Sequence, residues 1–303
     1  MLPPLLLIYL YGATIGLLVV CTVTLYAPGL ASFIPAFTLY GKTSGQDMMP
    51  LVERISVPKR WFAHFYLIAV IWTGFLIGYA NAISHAVTTQ PKWVLEYLAS
   101  MTSSQPHYSW TTGLLALSLI MFHVTRRCQE SLFVSVYSDM KMNVFHYIMG
   151  IAHYIAFPLT VVCEMHGFAS YWRATTLTFD YTQITPIQWT GVAFFLILNW
   201  LQNKVAHRLA DARKGPTGLA QNYCHSVLYG GWFDLLSSPH FTFEIGIYLS
   251  LLLVLGTQGA AYRALCMFVV VNQVFAGLLT DRWYRSRFAD YPSTRKAIIP
   301  YIL

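Results

Sequence analysis

Residues 5–26, LLLIYLYGATIGLLVVCTVTLY, form an apolar run of 22 residues that contains no charged side chain. An α-helix rises about 1.5 Å per residue, so a run of this length spans the roughly 30 Å hydrocarbon core of a bilayer. No Lys or Arg precedes the run, and its apolar part is longer than the core of a secretory signal peptide. We therefore expect residues 5–26 to be retained as a first membrane-spanning helix.

Six further apolar runs follow along the chain. They cover residues 65–87, 111–124, 144–163, 187–203, 241–256 and 264–280. The run at 111–124 is short and is followed by a charged stop at Arg126-Arg127, while a tight turn around residues 256–259 joins the last two runs. The sequence predicts an all-α fold: a polytopic membrane helix bundle of about seven transmembrane helices, with residues 1–303 forming a single membrane-embedded domain.

The composition of the chain supports this fold class. Hydrophobic residues make up 56% and charged residues only 10%, whereas a soluble domain carries about 25% charged residues. The 16% aromatic content excludes a disordered chain. Five scattered cysteines without a C-x-x-C pair predict no metal site, and no dinucleotide-binding glycine motif or phosphate-binding loop of soluble enzymes is present.

The net charge of +7 is distributed unevenly along the chain. Of the 19 Lys and Arg residues, 16 fall in the four segments 27–64, 125–143, 204–240 and 281–303. With seven spans these segments share one side of the membrane, and the positive-inside rule makes that side cytosolic. We expect a cytosolic C-terminus, a lumenal N-terminus, and a site built from the long cytosolic segments 125–143, 204–240 and 281–303.

Ionisable residues cluster at the predicted cytosolic rim. His64 and Tyr66 open the second helix, and His123 and Glu130 lie on one side of the third together with Arg126-Arg127. An ion-paired helix end would explain the third-helix residues without any catalytic role. Glu244 lies within the sixth run, where a carboxylate costs a few kcal/mol unless it is paired, so it is a functional candidate.

Residues 281–303 contain arginines interspersed with tryptophan and tyrosine, as in Arg282-Trp283-Tyr284-Arg285. These cations could face anionic lipid head groups. Guanidinium groups also bind phosphate oxygens and stack on rings, which suits an anionic aromatic ligand such as a dinucleotide cofactor. No nucleic-acid partner is predicted.

Several longer motifs carry a resemblance. They are FADYPSTRKAIIP at 288–300, GGWFDLLSSPH at 230–240 followed by Glu244, and Asn272-Gln273 with Trp283-Tyr284 downstream. Together they resemble the steroid 5α-reductase family. The stretches VPKRWFAHFY at 57–66 and RRCQESLFVSVYS at 126–138 are most similar to its polyprenal-reducing branch. The resemblance covers roughly residue 50 to the end of the chain.

The resemblance implies an NADPH-dependent reductase of the endoplasmic reticulum membrane that transfers hydride to a C=C bond conjugated to a carbonyl group. Its substrate would be a polyprenyl lipid, reduced at the α-isoprene unit of a polyprenal, and its product would serve dolichol synthesis for protein N-glycosylation. By motif position the resemblance assigns cofactor binding to Gln202, Arg213, His240, Glu244, Tyr284 and Arg295, with Lys214 and Asn272 as neighbouring candidates.

The sequence departs from the family pattern at four positions. A Gln-Glu pair that polarises the steroid ketone is replaced by His64-Phe65, and a tyrosine of the next helix by Val124. His240 and Asp281 stand where the family usually has asparagine and histidine. With the steroid-binding pair missing, we expect His64 or Tyr66 to donate to the substrate carbonyl. The candidate catalytic residues are His64, Tyr66, His123 and Glu130.

Three other functions remain open at this point. The first is 3-oxo-5α-steroid 4-dehydrogenase activity, and the second is an isoprenylcysteine carboxyl methyltransferase-like membrane enzyme. The third is a non-enzymatic polyprenyl-lipid carrier, although the chain contains no inverted repeat of the kind found in transporters.

Overall fold

The structure is a computed structural model that describes residues 4–26, 54–85, 91–102, 106–168, 177–215 and 225–303. Most of the predicted segment 27–64, the end of the predicted second span at 86–87 and residues 216–224 of the predicted segment 204–240 lie outside these residues.

Helices dominate the described residues. They are α1 Leu5–Tyr26, α2 Phe62–Ser84, α3 Lys92–Thr102, α4 Trp110–Gln129, α5 Val144–Val162, α6 Pro186–Asp211, α7 Trp232–Leu235, α8 Pro239–Leu255 and α9 Ala260–Arg287. Each of the seven predicted apolar runs overlaps one of them, so the helical prediction is confirmed, while α3 and α7 are additional.

Four of these helices are long and apolar enough to cross a membrane: α1, α2 with the turn before it, α5 and α9. Helix α8 is apolar but has only 17 residues. Side chains such as Ile8, Ile15 and Val19 on α1 are exposed and apolar, which suits contact with lipid. The described helices therefore support a membrane protein, and about seven spans stays a prediction.

Two short strands correct the prediction of a purely α-helical chain. Strand β1, Ser56–Pro58, pairs antiparallel with β2, Lys141–Asn143. Beyond the ribbon, the Lys59 amide donates to the Met140 carbonyl (3.0 Å). The Asn143 side chain then accepts from the Phe145 amide (2.8 Å) and caps α5. The ribbon therefore joins the start of α2 to the start of α5. The strands could not be predicted from the sequence, because three residues are too few to show the alternation of apolar and polar side chains that marks a strand.

Helix α4 corrects a second prediction, because it does not end at Arg126-Arg127. It continues to Gln129 and is followed by one π-helical turn, Glu130–Val134. The charged pair extends the helix instead of ending it because both guanidinium groups bind Glu130 one turn further on. Single π turns are frequent at functional sites.

Close packing between the helices fixes the bundle. Helix α6 packs along α8, α2 along α4, and α1 along α9. Gly191 of α6 allows the first of these, since a Cβ atom there would meet the Ser250 carbonyl oxygen of α8. Helices α8 and α9 are joined by the predicted tight turn, in which Gly256 adopts a φ of +78°.

Candidate functional site

A buried polar network lies at one end of the bundle. It is formed where α2 and α8 begin and where α4 and the second half of α6 approach them. The side chains that contribute are Tyr66, His123, Arg126, Arg127, Glu130, Asn199, Gln202, Asn203 and Glu244. The antiparallel packing of the helices therefore brings together residues that are up to 178 positions apart.

Glu130 accepts hydrogen bonds from three side chains. Arg126 Nη1 binds Oε1 and Arg127 Nη1 binds Oε2, both at short range, and Asn203 Nδ2 donates to Oε1 (2.7 Å). The residue is only 2% exposed. Burial alone would raise the pKa of Glu130, but Arg127 and Arg126 outweigh it and hold this pKa below its usual value.

Arg126 extends the network from α4 to α6. Its Nε donates to Asn199 Oδ1 (3.0 Å) and its Nη2 to Gln202 Oε1 (2.5 Å). Gln202 Nε2 in turn donates to Glu244 Oε2 (2.5 Å) and to the His240 carbonyl (3.1 Å). The Glu244 carboxylate is thus paired, as an ionisable group within an apolar helix requires.

His123 is fully buried between α6 and α8. Its Nδ1 lies 2.9 Å from Asn199 Oδ1, and its Nε2 lies 3.6 Å from Glu244 Oε1. The rings of Phe195 and Tyr248 meet it edge to face. The structure therefore brings His123 and Glu130, two of the predicted catalytic residues, into one network with Gln202 and Glu244.

The two candidate carbonyl donors have different surroundings. The Tyr66 oxygen accepts from Arg127 Nη2 (2.9 Å), and the guanidinium carbon lies 5.0 Å from the Tyr66 ring centroid. His64 does not join these contacts. Its Nδ1 pairs with the Tyr147 hydroxyl of α5 (2.9 Å) instead.

A second cluster surrounds Arg295 next to the polar network. The guanidinium group stacks on Tyr229 and Tyr291, with its central carbon 5.2 and 5.0 Å from the two ring centroids. Tyr284 stacks on Tyr291 with ring centroids 5.3 Å apart. Arg295 is only 2% exposed, and its Nε and Nη2 atoms have no hydrogen-bond partner among the described residues. A buried guanidinium group with two unpaired nitrogens suits an anion.

The loop before α8 links the two clusters. Ser237 Oγ donates to Asp281 Oδ1 (2.6 Å) and accepts from the Tyr291 hydroxyl (2.7 Å). Asp281 also accepts from Arg285 Nε (2.7 Å). Glu244 follows Ser237 by seven residues, so one short segment supplies groups to both clusters. At the position where the family usually has histidine, Asp281 therefore holds this loop in place.

The remaining predicted cofactor residues are spread around these clusters. Arg213 Nη1 donates to the Val136 carbonyl (2.6 Å), and its Nη2 lies 3.2 Å from His225 Nδ1. Lys214 pairs at the surface with Asp211 (3.8 Å). Asn272 lies half-buried on α9, about 18 Å along the helix axis from Tyr284 at a rise of 1.5 Å per residue.

Two members of the network, Asn199 and Asn203, were not predicted from the sequence. Their signal was present, because Asn199, Gln202 and Asn203 are spaced by three and four residues within an apolar run and so share one helix face. Amide side chains at such a spacing in a membrane helix mark a polar contact surface.

An apolar cavity of about 320 Å³ lies apart from the polar network. It is formed between α1, α3 and α5 and is lined by Leu5, Leu6, Tyr9, Met101, Ala152, Ile155, Ala156 and Leu159. Among the described residues Tyr9 is the only titratable group that lines it, so this largely open cavity suits a hydrocarbon chain.

Comparisons with known proteins identify the family of this chain. The family described as 3-oxo-5-alpha-steroid 4-dehydrogenase matches residues 140–303. A Caenorhabditis elegans protein named polyprenal reductase is 45% identical over 299 residues, covering 98% of this chain and 96% of that protein. Polyprenal reductases of Danio rerio and Homo sapiens are 32% and 30% identical, over 88% and 91% of this chain and 86% and 87% of theirs. The chain therefore belongs to the steroid 5α-reductase family of oxidoreductases that act on C=C bonds.

Proposed function

We propose that this chain is a polyprenal reductase that uses NADPH to reduce the α-isoprene C=C bond of a polyprenal, towards dolichal and dolichol for protein N-glycosylation. The observation that carries the proposal is the 45% identity to a polyprenal reductase over nearly the full length of both chains. Membership of a C=C-reducing family leaves the methyltransferase-like and carrier functions without support.

The residues around Arg295 fit a dinucleotide cofactor. Two buried guanidinium nitrogens of Arg295 have no hydrogen-bond partner within the described part of the chain, which suits phosphate oxygens, and the Tyr229 and Tyr291 rings flank the same group. Arg295, Tyr284 and Arg213 would hold the phosphate and ribose portion, and Gln202 and Glu244 the amide-bearing ring. When bound, NADPH supplies the hydride.

Tyr66 is the better candidate for the carbonyl donor. Hydride addition to a conjugated enal moves negative charge onto the carbonyl oxygen, and one aimed donor in a dry site contributes about 3 kcal/mol. Because the Tyr66 oxygen already accepts from Arg127, its own proton remains available to the substrate and is polarised by the guanidinium charge. His64 is engaged with Tyr147, which makes it the second choice.

The membrane accommodates the rest of the substrate. A polyprenyl chain gains about 0.8 kcal/mol for each CH₂ group removed from water, so the tail stays in the lipid phase. The apolar cavity between α1, α3 and α5 offers part of that tail a protein surface. We place the enzyme in the endoplasmic reticulum membrane as a multi-pass protein, with the polar network facing the cytosol where NADPH is available.

The test is NADPH oxidation by the purified full chain in detergent, with polyprenal, polyprenol and a 3-oxo-4-ene steroid assayed in parallel. We expect oxidation with polyprenal, and Arg295→Ala should raise the KM for NADPH at least tenfold. Arg287→Ala removes an exposed arginine eight residues earlier and serves as the matched control. A folded protein that oxidises no NADPH in the presence of polyprenal would contradict the proposal.

Steroid reduction is the second candidate, because the matching family is described by that activity. NADPH oxidation with the 3-oxo-4-ene steroid in the same assay tests this candidate. Turnover of the steroid alone would assign the chain to that activity in place of polyprenal reduction.

A further inference from the structure

Asn199 occupies the centre of the polar network and has no assigned role. It lies in the middle of α6, is fully buried, and makes three hydrogen bonds. Its Nδ2 donates to the Phe195 carbonyl (2.8 Å), while its Oδ1 is 2.9 Å from His123 Nδ1 and accepts from Arg126 Nε (3.0 Å). A single amide therefore contacts two charged or titratable side chains of α4.

These contacts fix the orientation of both the amide and the imidazole. Nδ2 must face the Phe195 carbonyl, because reversing the amide would point its NH₂ group at the Arg126 donor. Oδ1 is then the acceptor, and His123 Nδ1 donates to it over 2.9 Å, the shorter of its two contacts, since Arg126 Nη2 lies 3.4 Å from the same nitrogen. Its Nε2 is left facing Glu244 Oε1 at 3.6 Å and has no hydrogen-bond partner among the described residues.

Two routes connect Asn199 to Glu244. The first runs through the His123 ring, whose Nε2 lies 3.6 Å from Glu244 Oε1 and attracts it when that nitrogen also carries a proton. The second runs through Arg126, whose Nη2 holds Gln202 Oε1 and thereby turns Gln202 Nε2 towards Glu244 Oε2. Both carboxylate oxygens of Glu244 are thus approached by groups that Asn199 orients.

We propose that Asn199 is a positioning residue that aims Gln202 and Glu244 at the nicotinamide cofactor through Arg126 and His123. This inference rests on the proposed function, because Gln202 and Glu244 are taken there as the residues that hold the amide-bearing ring. Asn199 itself touches neither cofactor nor substrate. Its effect is to orient Gln202 and Glu244, which contact the cofactor in this proposal.

The test compares Asn199→Leu and Asn199→Ala with Asn199→Asp. The first two remove the acceptor, so we expect the dissociation constant for NADPH, measured by fluorescence titration without substrate, to rise about tenfold or more, as for one lost oriented hydrogen bond. Asn199→Asp keeps an oxygen for both His123 Nδ1 and Arg126 Nε and should bind NADPH within about threefold of wild type. The KM for polyprenal should stay constant in all variants.

Val205→Ala is the matched control, because Val205 is a buried residue of α6 that packs on Phe233 and Phe243 outside the network. It should lower the melting temperature without changing NADPH binding. Wild-type affinity in Asn199→Ala, or equal loss in Asn199→Asp and Asn199→Ala, overturns the positioning role. If Asn199→Leu does not fold, Asn199→Ala makes the same comparison without added volume. Failure of wild type itself to bind NADPH would instead refute the proposed function.

Discussion

The Tyr66 hydroxyl oxygen accepts a hydrogen bond from the charged Arg127, so its own proton can be donated to another acceptor. Replacing Tyr66 by phenylalanine removes that proton and keeps the ring contact with Tyr154. Because one oriented donor at a developing oxyanion is worth about 10²–10³ in rate, we expect kcat of Tyr66→Phe to fall by about that factor. The measurement is single-turnover NADPH oxidation with saturating polyprenal.

Tyr79→Phe serves as the control for this change. Tyr79 lies on the same helix and its ring packs on Phe75 and Phe168. It should retain wild-type kcat. Unchanged turnover in Tyr66→Phe, together with a large loss in His64→Gln, would assign the donor to His64.

Glu130 is a stability determinant because it neutralises Arg126 and Arg127 in a buried place. Glu130→Gln removes the carboxylate that both guanidinium groups contact directly, and we expect it to reduce the free energy of unfolding by about 3 kcal/mol. Denaturant unfolding in detergent at pH 7 measures the loss. Asp211→Asn removes an exposed carboxylate that pairs with Lys214 at the surface and should cost well under about 1 kcal/mol.

The same carboxylate makes stability depend on pH. Since the folded-state pKa of Glu130 is held below its usual value, its contribution is fully present above the unfolded value of about 4.3 and is lost as pH falls through the folded value. Wild type should therefore lose stability on acidification below about pH 4, where the difference in free energy of unfolding between wild type and Glu130→Gln narrows. If this difference stays constant down to pH 3, the Glu130 carboxylate is not the source of the pH dependence.

Much of the network could be predicted from residue type and position. Glu244 and Glu130 stand out because carboxylates in or beside apolar helices need partners, and the structure pairs both. Asn199 was missed because an uncharged amide in an apolar run gives a weak signal on its own. The contact between Tyr66 and Arg127 joins residues 61 positions apart, and only the packing of α2 on α4 creates it.

At the scale of elements, the N-terminus of α9 is secured by a carboxylate from the residues that follow α5. Glu164, just after α5, accepts from the Ala260 and Ala261 amides through Oε1 (3.1 Å each). Gly259 precedes them, and a Cβ atom there would overlap the Tyr108 hydroxyl and Glu164 Oε2. We expect Gly259→Ala to displace the cap and to reduce the free energy of unfolding by about 1–3 kcal/mol.

Gly16→Ala provides the comparison, because a Cβ atom on Gly16 of α1 would meet nothing within 4 Å. It should leave the melting temperature unchanged or slightly raised, since alanine favours helix over glycine. Equal melting temperatures for Gly259→Ala and wild type would show that the cap is dispensable.

Helix positions followed from apolar runs, whereas helix ends did not. Each run predicts where a segment must avoid water, but its end depends on partners from elsewhere in the chain. Helix α4 continues past Arg126-Arg127 only because Glu130, Asn199 and Gln202 satisfy these side chains. Helix α3 was not predicted because it has only 11 residues and Glu96 interrupts its apolar residues.

At the scale of the whole molecule, the polar network and the Arg295 cluster occupy the same end of the bundle. Arg213 joins segment 204–240 to segment 125–143 through the Val136 carbonyl, and Arg295 joins segment 281–303 to segment 204–240 through the Tyr229 ring. The uneven charge seen in the sequence thus corresponds to one basic end. Part of this charge is used in buried contacts, and we propose that the remainder orients the chain in the membrane.

That distribution predicts which end faces the cytosol. Arg287 lies in the basic segment 281–303 and Arg263 near the opposite end of α9, and both are exposed. In a background with Cys224→Ser, we expect Arg287→Cys to react with a membrane-impermeant maleimide on sealed microsomes. Arg263→Cys should react only after permeabilisation, because the positive-inside rule places it in the lumen.

The four other cysteines are buried, so the parent protein supplies the background signal. Labelling of Arg263→Cys alone in sealed vesicles would invert the topology and place the Arg295 cluster away from cytosolic NADPH.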